Sequence, residues 1–262
     1  MKDQNRWQEL IARLAPVCHA LTEGLAVRDE RDVTARITHA LFQNGFNTYR
    51  AIAILYAESL PIQAQVLVRV LLEVRMDLEI FLRLTAEDPE QAARRVIDTM
   101  MLEKVKQQRQ SDFRGLELVE GAPTPEALLA LEKKLVEQYG NPAAKAMRRH
   151  GFSGLSVEDR ANELGLSDLY NVVYRNFSRN VHGTDYMEHF LSQGMVAASE
   201  RDDYEDSRDH VALSTAITCL WQMAFLVNNQ LGYGLDEGLK ETWKACTSFD
   251  HWVPIPTGWS NP

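Results

Sequence analysis

The sequence predicts an all-α protein, a bundle of about eight to ten helices. Three observations carry that expectation. Apolar residues recur at steps of three and four along most of the 262 residues. No stretch alternates apolar and polar residues for more than four positions, and no repeat or low-complexity tract interrupts the pattern. Helix punctuation falls between the periodic runs, with Asp88-Pro89 as a start and Gly165 as a stop.

The elements follow in order. Trp7, Leu10, Ile11, Leu14, Val17, Leu21 and Leu25 define a first helix, with Asn5 as its cap and Pro16 expected to kink or split it. Thr34–Glu58 reads as a second helix, with Ile37, Leu41, Ile52 and Leu55 inward and a weak point at Gly45. The third, Ile62–Leu84, begins at Pro61 and is apolar almost all round, so it belongs at the centre. Asp88-Pro89 caps a long polar outer helix reaching about Phe113. Gly115–Pro125, with two prolines and two glycines, is the clearest internal loop. Helical pattern returns over Glu126–Tyr139 and Pro142–Arg149, and Gly151–Ser156 is a second linker. Val157–Leu164 ends at Gly165, and Ser167 is expected to cap the next helix, Leu169–Gly183. A short piece, Tyr186–Leu191, leads to an acidic loop, Glu200–Asp206, and then come helices Arg208–Leu231 and Asp236–Ala245. The organisation expected is a single helical unit: N-terminal helices and central hairpin over 1–114, a linker with outer helices over 115–156, motif-bearing helices over 157–247, and an extended tail over 248–262.

Composition narrows the function. Hydrophobic content of 45% with 25% charged residues is that of a folding chain. A net charge of −9 argues against an extended nucleic-acid track, which needs clustered Lys and Arg, but leaves room for a local basic pocket. Cys18, Cys219 and Cys246 are odd in number and lack CxxC spacing, so reduced thiols are expected rather than disulfides or a thiolate zinc site. The charged start MKDQNRWQEL has no secretory pattern, and the longest apolar candidate, Val211–Leu231, is broken by Ser214, Thr215, Gln222, Asn228 and Asn229. The expected address is cytoplasmic, with no membrane partner.

The chemistry gathers on LYNVVYRNFSRNVHG, which begins at Leu169. At about 100° per residue, Leu169, Tyr170, Val173, Phe177 and Val181 share one side, whereas Asn171, Arg175, Ser178, Arg179 and His182 fall in a stripe roughly 100° wide on the other. Two guanidiniums, a hydroxyl and an imidazole on one face can hold a phosphate and move a proton beside it. A polar face is more often merely solvated. This one, however, carries no Lys or Glu and closes on His182-Gly183.

Arg175-Asn176, five residues and then His182 resembles the R-polar-x(n)-H motif of HEPN-type proteins, at the long limit of its spacing. The resemblance implies a small helical bundle, commonly dimeric, and a metal-independent endoribonuclease of toxin or anti-phage systems; other such proteins act only as binding or assembly modules. On that likeness Arg175, Asn176 and His182 are catalytic. His182 takes the proton of a ribose 2′-hydroxyl or gives one to the leaving 5′-oxygen, Arg175 stabilises the charge on the scissile phosphate and Asn176 orients the pair. Arg179, Ser178 and Tyr174 contact substrate. The chain is also similar to an uncharacterised bacterial all-helical family with R-x-x-x-E and Y-x-x-x-S-x-x-x-H elements, here Arg69 with Glu73, and Tyr174, Ser178 and His182, over Thr34–Leu84 and Val157–Leu191. The partners implied are RNA, a second copy of the chain, and an antitoxin or regulatory protein.

Arg69 and Glu73 stand at i, i+4 in an apolar helix, where charges must be paired. An ion pair locking helix packing is the simpler account; the functional one has Glu73 fixing His182 or Arg175. Glu58, Asp77 and Glu79 add carboxylates, but Glu188-His189 and Asp209-His210 are adjacent rather than at metal-binding spacing, so neither metal nor cofactor is called for. His19, His39, His150, His189, His210 and His251 lack supporting spacing. Lys145, Arg148, Arg149 and His150 cluster where a helix C-terminus favours cations anyway. Trp243, Trp252 and Trp259 are expected to cover the bundle or clip onto a partner. No Walker A, GxGxxG, HExxH or GxSxG occurs. Two readings result: a HEPN-like endoribonuclease, or a non-catalytic helical module whose Arg/His face binds a protein or phosphorylated ligand.

Overall fold

The computed structural model describes residues 4–27, 32–110, 125–181, 198–250 and 252–253. Among these the protein is an all-α helical bundle with no strand. Ten helices run in chain order: α1 Gln4–Ala26, α2 Val33–Ala57, α3 Pro61–Glu87, α4 Pro89–Gln110, α5 Pro125–Tyr139, α6 Asn141–His150, α7 Val157–Glu163, the composite α8, α9 Ala198–Leu231 and α10 Asp236–Thr247. Three pieces make up α8: the turn Ser167–Leu169, the π-helical Tyr170–Tyr174 and the α-helical Arg175–Val181.

Where one helical unit was expected, the helices gather into two compact units, Met1–Leu82 with Ala161–Pro262, and Arg83–Arg160. In the first, α1, α2, α9 and α10 pack on one another. Trp7, Leu10, Leu14 and Leu21 of α1, Phe42 and Ile52 of α2, Leu71, Leu72 and Met76 of α3, and Ile217, Leu220 and Met223 of α9 are buried. Each such side chain contributes about 1.5–3 kcal/mol by leaving water. Gly45 is the close-approach point: a Cβ there would lie 2.3 Å from Met223 Cε and 3.5 Å from Val74 Cγ1. What reads as a weak point in a helix is where α2 admits α9. By length and composition Asp206–Leu231 could cross a membrane, yet it is mostly buried inside the protein. The second unit closes α4, α5 and α6 around Leu102, Leu135 and Met147.

Local signals account for many of the boundaries. Asp32 caps α2 by accepting from the Ala35 N–H at 2.9 Å, and Asp88 accepts from Gln91 N–H at 3.0 Å to start α4. Ser156 accepts from Asp159 N–H at 3.1 Å while donating to its carboxylate at 2.6 Å, so α7 begins on a reciprocal cap. That helix ends on Gly165 at φ +70°, with Leu166 N–H donating to Ala161 and Gly165 N–H to Asn162, the paired bonds a left-handed glycine allows.

Several expectations are corrected. Pro16 does not split α1, which runs unbroken past it, and Asn5 lies inside that helix rather than capping it. Ser167 is no cap, because its hydroxyl donates to Asn162 Oδ1 at 2.6 Å and Leu166 holds the cap position. The stretch Glu200–Asp206 is helical, forming the opening turns of α9; carboxylates are stabilised at the positive end of a helix, so an acidic run marks a start there rather than a loop. Tyr186–Leu191 and Trp259 lie outside the described residues.

Candidate functional site

α8 positions the candidate site. Leu169, Val173 and Phe177 are buried on one side, while Asn171, Val172, Arg175 and Asn176 are exposed on the other. In a regular α-helix, residues at i, i+4 and i+8 drift by about 80° around the axis. The i→i+5 turn over Tyr170–Tyr174, closed by the Arg175 N–H donating to the Tyr170 carbonyl, takes up much of that drift. Three apolar anchors at intervals of four therefore stay in line against the core. The π turn widens the helix at the point where the polar face begins.

Tyr174, at the end of that turn, is tied to α3. Its hydroxyl accepts from Arg69 Nη2 at 2.9 Å and is hydrogen-bonded to Glu73, while the Arg69 guanidinium carbon lies 4.7 Å from the ring centroid. Arg69 and Glu73 form an ion pair at 3.3 Å, and both are partly exposed. Burial, followed by the Glu73 carboxylate, pushes the Tyr174 phenol up from its ordinary value against the pull of Arg69. The phenol thus stays protonated, accepting from the cation and donating to the anion. The Tyr170 ring stacks on that of Tyr174 at 5.1 Å and 18°.

Arg69, Glu73 and Tyr174 therefore come together as one group spanning α3 and α8. Arg69 and Glu73 belong neither to a fully internal lock nor to a contact with Arg175, whose bond among the described residues goes to Asn171 Oδ1 at 3.3 Å. Asn176 Nδ2 donates to the Val172 carbonyl at 2.7 Å, and the Ser178 hydroxyl donates to the Tyr174 carbonyl at 2.5 Å. Ser178 is thus occupied by its own helix. Arg175 is exposed and no described carboxylate pairs with it. Arg179 belongs to α8 but its side chain lies outside the described residues, as does His182 altogether.

Two buried polar groups stand elsewhere. Arg75 and Glu79 pair at 2.7 Å on α3, both almost fully buried. Their i, i+4 spacing was open to sequence reasoning, which singled out Glu79 without its partner. Asp209 on α9 accepts at one oxygen from Tyr56 Oη at 3.2 Å and Gln65 Nε2 at 3.3 Å, while Arg208 donates to Gln65 Oε1 at 3.0 Å. Burial chiefly, with help from the Asp206 carboxylate, pushes Asp209 up to about 6 against the two hydrogen bonds. No sequence spacing announces that cluster, because it joins three helices. Arg148 in the basic cluster of α6 pairs with Glu132 at 2.6 Å. Among the described residues, no group of three or more His, Cys, Asp or Glu could hold a metal ion.

The fold and site define a class: an all-helical protein whose polar helix face is anchored through a π turn to a central helix. The chain belongs to the DUF5677 family, a family of unknown function, whose model matches residues 35–195. That span includes Arg69, Glu73 and every candidate residue from Tyr174 to His182. No curated protein and no solved structure matches the chain.

Proposed function

We propose that this chain is a metal-independent endoribonuclease of HEPN type, acting through Arg175 and His182. The observation that carries the reading is Arg175 itself: an exposed guanidinium with a neutral partner, beside exposed Asn176, on a helix whose opposite side is locked into the core. Arg175 differs in this from Arg6 and Arg13, which both pair with Glu9 in α1. In the reaction, His182 accepts the proton of a ribose 2′-hydroxyl as its oxygen bonds to phosphorus. The bond from phosphorus to the 5′-oxygen breaks, and a proton returns to that oxygen, leaving a cyclic 2′,3′-phosphate and a 5′-hydroxyl. Arg175 binds the non-bridging oxygens, where charge builds. Tyr174, held by Arg69 and Glu73, fixes the turn carrying Arg175, beside the substrate contact expected of it. Arg179 adds a phosphate contact. The wider role in this reading is that of a cytoplasmic effector in a toxin–antitoxin or anti-phage system, working as a homodimer under a regulatory protein.

The test is cleavage by purified protein in the presence of a chelator. Wild type should nick RNA, and His182→Ala should abolish nicking with an unchanged circular-dichroism melt. If wild type and variant are both inert, or equally active, the enzyme reading fails and the non-catalytic binding module takes its place.

A further inference from the structure

Only Glu58, Ser59 and Leu60 join α2 to α3, and the joint is strained. Leu60 N–H donates to the Leu55 carbonyl at 2.8 Å and Ser59 N–H to that of Tyr56 at 3.2 Å, the paired bonds that commonly close on a glycine. Here the left-handed position holds Ser59, at φ +58°, a conformation that penalises any residue with a Cβ. Such a corner keeps its angle when contacts from outside hold it there.

Asp209 of α9 supplies that hold. Tyr56, in the last turn of α2, and Gln65, near the start of α3, both donate to its Oδ1, at 3.2 and 3.3 Å. One carboxyl oxygen thus bridges the two arms of the corner. Both donors are neutral, and Arg208 donates to Gln65 Oε1 at 3.0 Å. Asp206, one turn earlier on α9, repels the anion; the chain's α-amino group favours it, more weakly than burial opposes it. His210, next in the chain, packs its ring on Trp7 of α1 at 5.6 Å. We propose that Asp209 is a proton-operated latch: protonated, it pins the α2–α3 corner to α9, and ionised, it lets that corner open. In the neutral acid the oxygen keeps both bonds and no buried charge asks for water. As pH rises through about 6 the carboxyl ionises, the buried anion draws solvent in, and the strained corner loses its outside support. Arg69, whose guanidinium holds Tyr174, stands one turn along α3 from Gln65, so the joint that the latch sets also carries the anchor of α8. The latch does not depend on whether the chain cuts RNA.

Hydrogen–deuterium exchange of the full-length protein at about pH 5 and pH 7.5, each corrected for the chemical exchange rate of an unfolded amide, tests it. Protection over residues 54–65 and 206–213 should fall about 3- to 10-fold between the two pH values in wild type. In Asp209→Asn, which keeps the accepting oxygen and cannot ionise, it should stay level. The corner should also open first, with lower protection than Leu10–Leu21 of α1 at both pH values. His210 is present in both proteins, so its own titration cancels. A fall as large in Asp209→Asn, or none in wild type, overturns the latch. Equal protection of the corner and α1 overturns it too, because Asp209 would then act on unfolding of the whole unit and not on its corner.

Discussion

Asp209→Asn should make this protein more stable at neutral pH, although it removes a charge that accepts two hydrogen bonds. The Asp209 carboxyl is pushed from 3.8 to about 6, mainly by burial. The folded state therefore prefers the protonated acid. The stability this preference supplies is fully present below about pH 4, is lost as pH rises towards about 6, and is absent above that. Raising the carboxyl from 3.8 to about 6 corresponds to about 3 kcal/mol, and partial access of solvent brings that down to about 1–2 kcal/mol. Asparagine keeps the oxygen that accepts from Tyr56 and Gln65 and never ionises. Urea unfolding of both proteins should then show Asp209→Asn ahead by about 1–2 kcal/mol at pH 7.5 and level with wild type at pH 4. Taking the difference between the two proteins cancels the other carboxylates, including Glu9, whose arginine partners lower its pKa. A gap that does not change with pH, or a variant less stable at pH 7.5, would refute the reasoning.

Glu79→Leu leaves Arg75 charged and buried and should cost about 3–5 kcal/mol in urea unfolding, whereas Arg75→Met with Glu79→Leu should recover most of that loss; a double variant as weak as the single would show that the pair was not the cause. Arg175→Ala, at an exposed position, should change stability by no more than about 0.5 kcal/mol, yet relieve the growth defect expected when wild type is overexpressed; equal growth of both strains would count against the enzyme.

The helices were legible because most of them bury one stripe, and a stripe leaves a period in the sequence. Trp7, Leu10, Leu14 and Leu21, from the stripe that defines the first helix, are buried, as are Leu169, Val173 and Phe177; of Ile37, Leu41, Ile52 and Leu55, expected inward on α2, Ile52 is buried and the others are partly so. Errors fell where two local rules compete. Pro16 breaks helices by rule, but tertiary packing of α1 prevails over it. The acidic run before Arg208 reads as loop by composition and as helix start by dipole. The π turn was not legible, since nothing in Tyr170-Asn171-Val172-Val173-Tyr174 differs from an ordinary helix. Its signature lies instead in the spacing of the anchors, which hold to four where the α period would have drifted. Arg69 and Glu73 were recognisable as a pair needing an explanation, but that their partner is the Tyr174 hydroxyl depends on how α3 meets α8. No spacing rule within either helix encodes that.

The tryptophans carry a practical consequence. Trp221 and Trp243 lie with ring centroids 4.6 Å apart, Trp252 meets Trp243 at 5.9 Å, and Trp7 abuts Phe249 at 4.8 Å. All four cluster where α10 and the residues after it clasp α1 and α9, and the stretch 83–160 contains no tryptophan. Tryptophan fluorescence, excited beyond the tyrosine band, thus watches one of the two compact units and is blind to the other, whereas far-ultraviolet ellipticity sees both. Superposing the two signals in a single melt would reveal, without any label, whether the halves of this molecule come apart together or in turn.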